Sequence, residues 1–233
     1  MFGDARVIVV VPARGGSKAI PKKNLALLNG WPLVTWPVRS GLDAELVDRV
    51  IVSTDDNEIA EASRVEGAEV YARPAELAGD DALVIDTIRD LWETLRDEGE
   101  TDVVMVLLEA TAPIRPDGLV DACVRLLVDG GYDSIATFEP ARLNPERAWR
   151  LEGDAMTPFI DGAVPWKPRQ HLSPAYQLNG AVYAFYPSRL PKGTVSLLFG
   201  NYGAKIVEIE NFVDIDTIHD LRVANAILRI ADE

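Results

Sequence analysis

The sequence predicts an α/β fold with a doubly wound, mostly parallel, Rossmann-like sheet. Two near-continuous apolar runs, VIVVV and VVMVLL, are typical of strands that are buried on both faces of a parallel sheet. Such runs alternate with helical patterns through the first 140 residues, and this β-α-β-α order is typical of a sheet covered by helices on both sides. The 233 residues suit one domain, residues 1–233, with a modest elaboration.

The individual elements follow from where each pattern begins and ends. Strands are expected at 6–11, 49–53, 69–71, 102–108, 134–138, 181–186 and 204–208. Helices are expected at 33–42, 57–66, 84–98, 118–129 and 218–230. In the third of these helices apolar residues recur at helical spacing, which predicts one buried stripe.

The alternation breaks at residues 139–176, a segment rich in Pro, Arg and Trp. The tripeptide EGD at 152–154 predicts a hairpin turn inside it. A segment of this length is too long for an ordinary loop in a compact domain. It therefore either covers an active site or builds a subunit interface.

The charge balance disfavours several kinds of partner. Thirty-seven acidic residues against 23 basic ones give a net charge of −14, which repels nucleic acids and anionic membranes.

No stretch approaches the roughly 20 apolar residues of a membrane span, and no signal peptide pattern is evident. The single cysteine, Cys123, has no internal disulfide partner and is expected to be a buried structural thiol. We expect a cytoplasmic protein.

The first candidate functional motif is VVPARGGSKAIPKKN, which directly follows the first predicted strand. Gly15 and Gly16 allow a sharp turn that presents backbone N–H groups to an anion. Arg14 offers a planar fork for phosphate oxygens and Lys18 a mobile charge, so the motif predicts a triphosphate cradle. Neither a Walker P-loop nor a GxGxxG motif is present. The alternative is a solvated turn with ordinary surface lysines.

The second motif is VDIDT near the carboxyl end of the chain. Asp214 and Asp216 are two residues apart, so in an extended chain their carboxylates point the same way, roughly 6–7 Å apart. Such a pair suits Mg²⁺ holding a triphosphate. The alternative is that Asp216 or Thr217 caps the final helix, and the two roles are compatible.

The third motif, LLEATAPIRP, ends another predicted central strand. It would place Thr111 and Arg115 at the same sheet edge as the glycine loop. The alternative is an ordinary loop before a helix. The pair Asp55 and Asp56 is expected to begin a helix, where acidic residues favour the helix dipole.

Together these segments resemble the cytidylyltransferase family of CMP-acylneuraminate (CMP-sialic acid) synthetases over nearly the whole chain. The family's motifs occur in order as ARGGSKAIPKKN, VDRVIVSTDDNEIAEAS, ARPAELAGDD, TAPIR, PRQ, QLNGAVYAF and DIDT. The family also includes synthetases for KDO-like sugar acids and enzymes that cytidylylate small phosphonates such as phosphonoformate. The resemblance implies a nucleotidyltransferase fold, and an enzyme that moves CMP from CTP onto an acidic acceptor with release of pyrophosphate.

The resemblance also implies roles for individual residues. The nucleotide-binding positions are Ala13, Arg14, Gly15, Gly16, Ser17, Lys23, Asn24, Arg73 and Ala82. The catalytic positions are Arg14, Lys18, Asp214 and Asp216, of which the two aspartates bind Mg²⁺. The acceptor-binding positions are Glu109, Thr111, Arg169, Gln177 and Asn179. Residues 139–176 match a dimerisation extension that reaches into the partner subunit's site, so a homodimer is expected.

Departures from the family pattern leave the acceptor open. Glu109 stands where sialic-acid enzymes typically have Gln, and Gln177 stands where Arg usually precedes the Asn-Gly pair. Glu109 would repel an acceptor carboxylate unless it pairs with a cation or binds hydroxyls. A highly anionic acceptor would need Lys167 or Arg147 to compensate. The acceptor is therefore either a keto-sugar acid or a small carboxylated phosphonate. A dinucleotide-dependent oxidoreductase is disfavoured because the GxGxxG motif is missing. A non-catalytic nucleotide-binding regulator is disfavoured because the phosphate-binding and metal-binding residues are retained.

Overall fold

A computed structural model describes residues 5–207 and 212–231 of the chain. The strands are β1 (Arg6–Pro12), β2 (Leu27–Leu28), β3 (Trp31–Pro32), β4 (Arg49–Thr54), β5 (Glu69–Ala72), β6 (Val103–Leu107), β7 (Ser134–Pro140), β8 (Trp149–Glu152), β9 (Ala155–Pro158), β10 (Tyr176–Phe185) and β11 (Tyr202–Ile206). The α-helices are α1 (Thr35–Leu42), α2 (Asn57–Val65), α3 (Val84–Asp97), α4 (Leu119–Asp129) and α5 (Ile218–Ala231). Short 3₁₀ turns lie at Lys23–Leu25, Ala75–Leu77, Pro145–Arg147, Arg169–His171 and Pro187–Arg189.

The central sheet has seven strands in the order β11-β7-β10-β6-β1-β4-β5. Neighbouring strands are parallel except β10, which runs antiparallel to both β6 and β7. Strand β1 lies between β4 and β6, and its residues from Val7 to Val11 are at most 4% exposed. The predicted mostly parallel sheet is confirmed, and burial on both faces explains why its strands read as continuous apolar runs.

Helices cover both faces of the sheet, as a doubly wound fold requires. On one face α1, α2 and α4 contribute Val38, Ile59 and Cys123 to the same core cluster as the odd-numbered residues of β1. On the other face α3 packs its predicted stripe against Ile8 and Val10. Cys123 is fully buried, as expected, and burial raises the pKa of its thiol.

The largest difference from the predicted elements concerns β10. This strand begins at Tyr176, five residues before the predicted start, because residues 176–178 pair with residues 138–140 of β7. The register then shifts between Leu178 and Tyr183, and Gly180 adopts a φ of +68°. The first half of β10 is not predicted from the sequence, because the irregularity interrupts the two-residue alternation of side chains that indicates a strand. The strand predicted at 204–208 is β11, and Glu208 lies outside the described residues.

Residues 139–176, here called the arm, leave the sheet at the end of β7 and return at the start of β10. Tyr176 pairs with Pro140 at the base of the arm. The arm carries the antiparallel hairpin β8–β9, which turns at Gly153 with a φ of +61°, as the EGD tripeptide predicts. Its apolar side chains are unusually accessible, with Trp166 83% and Met156 64% exposed.

The carboxyl-terminal segment packs against the β2–β3 ribbon rather than the sheet. Val213, Ile215 and Leu221 form a cluster with Ile20 and Leu28. Thr217 caps α5, because its Oγ1 accepts from the Asp220 backbone N–H at 3.3 Å while the Asp220 carboxylate accepts from the Thr217 backbone N–H at 2.7 Å. Among the described residues, no helix is both long and apolar enough to cross a membrane.

Candidate active site

A cleft of about 400 Å³ opens where the carboxyl ends of β1, β4, β5 and β6 meet, the usual ligand position in an open α/β sheet. Its lining includes eleven of the residues singled out from the sequence: Arg14, Gly16, Ser17, Lys23, Asn24, Arg73, Ala82, Glu109, Thr111, Asp214 and Asp216. The fold therefore brings the three motifs, which are separated by up to 200 residues, into one site.

The glycine loop is held by side chains on both of its flanks. The Gly15 backbone N–H donates to Asp55 at 2.8 Å, and the Asn24 amide donates to the Arg14 carbonyl at 2.8 Å. A side chain at Gly15 would place its Cβ 2.9 Å from the Cβ of Asp56, so only glycine fits here. Asp56 caps α2 through its side chain, as expected for one member of this acidic pair. Gly16, by contrast, faces open space.

Each lysine or arginine of the loop that was predicted to grip phosphate is paired with a carboxylate. Lys18 lies 2.8 Å from Asp80, Arg14 lies 3.4 Å from the same carboxylate, and Lys23 lies 3.0 Å from Asp216. The hydrogen bond from Lys18 holds the pKa of Asp80 below its ordinary value. Asp80 was not singled out from the sequence. It belongs to the ARPAELAGDD motif, yet nothing local indicates that it faces Arg14, 66 positions earlier in the chain.

Arg73 is fixed rigidly in the cleft wall. It is 9% exposed, and its guanidinium donates to the Ser53 carbonyl at 2.7 Å and to the Ser53 hydroxyl at 3.2 Å. Burial lowers its pKa, while the nearby Asp55 opposes that shift. A cation tied to the end of β4 in this way can offer its remaining N–H groups in a constant direction.

Asp214 and Asp216 both line the cleft, while Ile215 between them is fully buried. The alternation predicted for the VDIDT motif is therefore confirmed. The Ile215 backbone N–H donates to the Thr111 carbonyl at 2.8 Å, which ties this segment to the loop after β6. Burial and the neighbouring Asp216 raise the pKa of Asp214.

This pair of aspartates fits Mg²⁺. That ion is usually held by one or two carboxylates and completes its coordination with phosphate oxygens and water. Among residues 5–207 and 212–231, no group of three or more His, Cys, Asp or Glu side chains is arranged to hold a metal ion. The donor set thus matches an ion that arrives with a phosphate ligand better than one held in an all-protein cage.

Glu109 stands at the boundary between this cleft and a second cavity of about 320 Å³. Burial and the charge of Asp214 raise its pKa to about 7, and the nearby Arg115 only partly opposes this. Arg115 donates to the backbone carbonyls of Glu109 at 2.6 Å and of Ala181 at 2.7 Å, so it clamps the loop after β6 to β10. Burial lowers the pKa of Arg115 to about 9.

The second cavity is built by the irregular part of β10. Its lining also includes Arg142, Gln177, Leu178, Asn179, Gly180, Tyr183, Phe212 and Asp214. A Cβ at Gly180 would lie 2.9 Å from the Glu109 carboxylate, so this glycine allows β10 to approach Glu109. The Asn179 side chain accepts from the Thr137 hydroxyl at 2.6 Å, while its amide nitrogen has no partner among the described residues.

The cation in this cavity is Arg142, which sequence reasoning missed. Its backbone N–H donates to the Gln177 side chain at 3.1 Å, and the Gln177 amide donates to Glu139 at 2.9 Å. Lys167 and Arg147, the cations considered from the sequence, do not line this cavity. Only a contact across the base of the arm places Arg142 here, and no local pattern reveals it.

Arg169 is not brought together with the other acceptor candidates within one chain. It lines a third cavity of about 430 Å³ on the arm, together with Arg142, Arg147 and Tyr176. Lys18, Ala13 and Gly15 adjoin the main cleft without lining it, and Ala13 is fully buried.

The raised pKa of Glu109 predicts a pH-dependent effect of Glu109→Gln on stability. Folded Glu109 keeps its proton until about pH 7, whereas the unfolded chain releases it near the ordinary value of 4.5. Between these values the folded protein binds more protons, so the contribution of Glu109 to stability falls as pH rises through this window. Glu109→Gln should therefore be about 3 kcal/mol more stable than the wild type above about pH 7, and nearly equal to it below about pH 4.5.

Urea unfolding in a chelating buffer across that range measures this difference. Glu93→Gln, an exposed change on α3, is the control and should follow the wild type at every pH. A Glu109→Gln curve parallel to the wild-type curve would show that folding does not raise the pKa of Glu109.

Comparison with known proteins places this geometry in a family. The family model described as cytidylyltransferase matches residues 8–146. The chain is 35% identical over 222 residues to N-acylneuraminate cytidylyltransferase A of Danio rerio. The aligned region covers 94% of this chain and 50% of that protein. The chain is 28% identical over 233 residues to CMP-N,N'-diacetyllegionaminic acid synthase of Legionella pneumophila, which covers 98% of both chains.

A solved structure shares the fold. CMP:2-keto-3-deoxy-manno-octonic acid synthetase, complexed with CTP, superposes with a TM-score of 0.70 over 97% of this chain and 100% of that one, at 16% identity. The chain spans about half the length of the Danio rerio relative and nearly the whole length of the Legionella pneumophila one. With the family model matching more than half of its residues, the chain belongs to the cytidylyltransferase family.

Proposed function

We propose that this protein transfers CMP from CTP to an acidic sugar acceptor and releases pyrophosphate, most like a CMP-acylneuraminate synthetase. The observation that carries the proposal is one cleft that contains the glycine loop, the cations Arg14 and Lys23, and the pair Asp214 and Asp216. The names of the two relatives above, an N-acylneuraminate cytidylyltransferase and a diacetyllegionaminic acid synthase, support the same acceptor class.

The nucleotide would occupy the main cleft. Arg73 and Ala82 lie in the wall where the cytosine is expected, while Arg14, Lys18 and Lys23 surround the place for the triphosphate. Their positive charges would stabilise negative charge that develops on the departing pyrophosphate. Asp214 and Asp216 would hold Mg²⁺, which when bound adds further charge neutralisation at the phosphates. The contribution of the chain is then positioning and electrostatics, as is general in such transfers.

The acceptor would occupy the second cavity, which meets the cleft at Glu109 and Asp214. From there an acceptor hydroxyl oxygen attacks the α-phosphorus in line. A new P–O bond forms, the bond to pyrophosphate breaks, and the hydroxyl proton is released. The carboxyl of Glu109 suits sugar hydroxyls, and Arg142 suits one carboxylate.

The charge of this cavity favours the sugar acid over the carboxylated phosphonate. Among the described residues that line it, Arg142 is the one cation, and Glu109 and Asp214 oppose it. A phosphonate bearing a carboxylate would bring more negative charge into the same space. Neither of the relatives compared above is named for a phosphonate acceptor.

We also propose a homodimer formed through the arm. Trp149 and Trp166 lie with ring centroids 6.3 Å apart, and Trp166 is 83% exposed, so the pair offers an aromatic anchor for a partner surface. Arg169 on the arm would then reach the partner's site, which explains its distance from Glu109 within one chain. A cytoplasmic location stays a prediction from the single cysteine and the sequence patterns, and the exclusion of nucleic-acid and membrane partners stays a prediction from the charge.

The function predicts pyrophosphate release that depends on CTP, a sugar acid and Mg²⁺. Arg14→Ala should lower kcat/KM by at least about 100-fold, because one charge-stabilising group at the phosphates is lost. A coupled pyrophosphate assay measures this, and a chelator should abolish turnover by the wild type. Arg64→Ala, which removes a 57% exposed arginine side chain on α2, is the matched control and should leave kcat/KM unchanged. Normal CTP kinetics in Arg14→Ala would remove the loop from the mechanism.

The acceptor cavity predicts that Glu109 and Gln177 tune the enzyme away from the common N-acetylneuraminic acid. In an assay above about pH 7, where Glu109 is ionised, the double change Glu109→Gln with Gln177→Arg should raise kcat/KM for that sugar by about tenfold, since it removes one negative charge and adds one cation. The two single changes separate the contributions. If the wild type already uses this sugar efficiently and gains nothing from the double change, the two positions do not set the acceptor preference.

If the arm forms the proposed dimer, sedimentation at micromolar concentration should show a particle with twice the chain mass of 25.5 kDa. Trp166→Ala should shift the equilibrium toward the monomer, because it removes the most exposed of the arm's aromatic anchors. Val195→Ala, at an apolar residue that is 73% exposed outside the arm, is the control. A wild-type species of 25.5 kDa would contradict the dimer.

A further inference from the structure

The carboxylate of Asp80 occupies the middle of the phosphate-binding cations. One oxygen lies 2.8 Å from Lys18 Nζ and the other lies 3.4 Å from Arg14 Nη1. The same Arg14 nitrogen donates to the Gly79 carbonyl at 2.6 Å. Two adjacent residues of one loop thus contact two of the three cations that, under the proposed function, receive the triphosphate.

The loop that carries Asp80 is also a wall of the cleft. Leu77, Asp80 and Ala82 line it, and the chain then enters α3, whose residues Val84 and Thr87 line it as well. The Ala82 backbone N–H donates to the Gly79 carbonyl at 3.3 Å, which closes a turn around Asp80. A ligand that breaks the contacts of Arg14 with Gly79 and Asp80 therefore releases part of the loop that forms the wall where the nucleobase is expected.

We infer that Asp80 is a positioning residue that stands in for the triphosphate: it holds Arg14 and Lys18 in place until CTP binds, and phosphate oxygens then displace it. The inference rests on the proposed function. It assigns Asp80 a direct part in setting the affinity for CTP and for pyrophosphate, which must both compete with this internal carboxylate.

The energetics of the contact suit displacement. The Lys18 side chain is 77% exposed and the Asp80 side chain 48%, and ion pairs between such exposed groups are weak. A triphosphate offers several charged oxygens to the same cations and makes stronger, charge-assisted hydrogen bonds. Asp80 can therefore keep the two long side chains in position without blocking the site.

Asp81 supplies a matched control. It carries the same charge on the same loop and is exposed, yet it does not line the cleft. Removing either carboxylate changes the net charge of the protein equally. A difference between the two variants consequently reports the position of Asp80 and not the overall charge.

The experiment compares Asp80→Asn and Asp81→Asn with the wild type. Calorimetric titration with CTP in the absence of acceptor, and steady-state kinetics with acceptor, give Kd, KM, kcat and the inhibition constant of pyrophosphate. In Asp80→Asn we expect about fivefold lower Kd and KM for CTP, in keeping with removal of a competing exposed ion pair. Pyrophosphate should inhibit about fivefold more strongly for the same reason, and kcat should not rise. Asp81→Asn should match the wild type.

Other outcomes overturn the inference. An unchanged or higher KM for CTP in Asp80→Asn would mean that the carboxylate only organises the cations. A collapse of kcat with unchanged CTP binding would place Asp80 in the chemical step instead. Both are distinct from failure of the proposed function, in which the wild type itself would neither bind CTP nor release pyrophosphate.

Discussion

Burial of β1 on both faces is the constraint on which the rest of the structure depends. With β4 and β6 on its two sides and helices above and below, this strand has no exposed surface except at its ends. Polar groups can therefore appear only where the parallel strands stop. Because the carboxyl ends of β1, β4, β5 and β6 share one edge, the glycine loop, Arg73 and Glu109 converge there as a consequence of packing.

Electrostatics then decide what this edge can hold. The cations of the glycine loop repel one another because they lie within ten residues, and the carboxylates of Asp80 and Asp216 offset that repulsion. The same carboxylates keep the cations oriented toward a shared space. A triphosphate with its metal ion carries complementary charge of both signs, so it can replace these internal contacts with comparable ones of its own.

The antiparallel strand β10 builds the second cavity, which lies beside the main cleft and shares Glu109 and Asp214 with it. It returns from the arm beside β6, and its irregular turn at Gly180 brings Asn179 and Gln177 next to Glu109. Arg115 holds the loop after β6 against β10 by donating to the backbone carbonyls of Glu109 and Ala181. The arm and the second cavity are therefore parts of one connection between β7 and β10.

The sequence by itself determined the α/β class, the mostly parallel sheet and most residues of the main cleft, because these depend on local runs and short motifs. Apolar runs identify buried strands, and Arg14, Asp214 and Asp216 lie in motifs whose chemistry is visible in a few residues. Tertiary structure alone decided the start of β10, the contact of Asp80 with Arg14 and Lys18, and the presence of Arg142 beside Gln177. Each of these joins segments that are distant along the chain or interrupts a local period, and no local pattern records which distant side chain will be the neighbour.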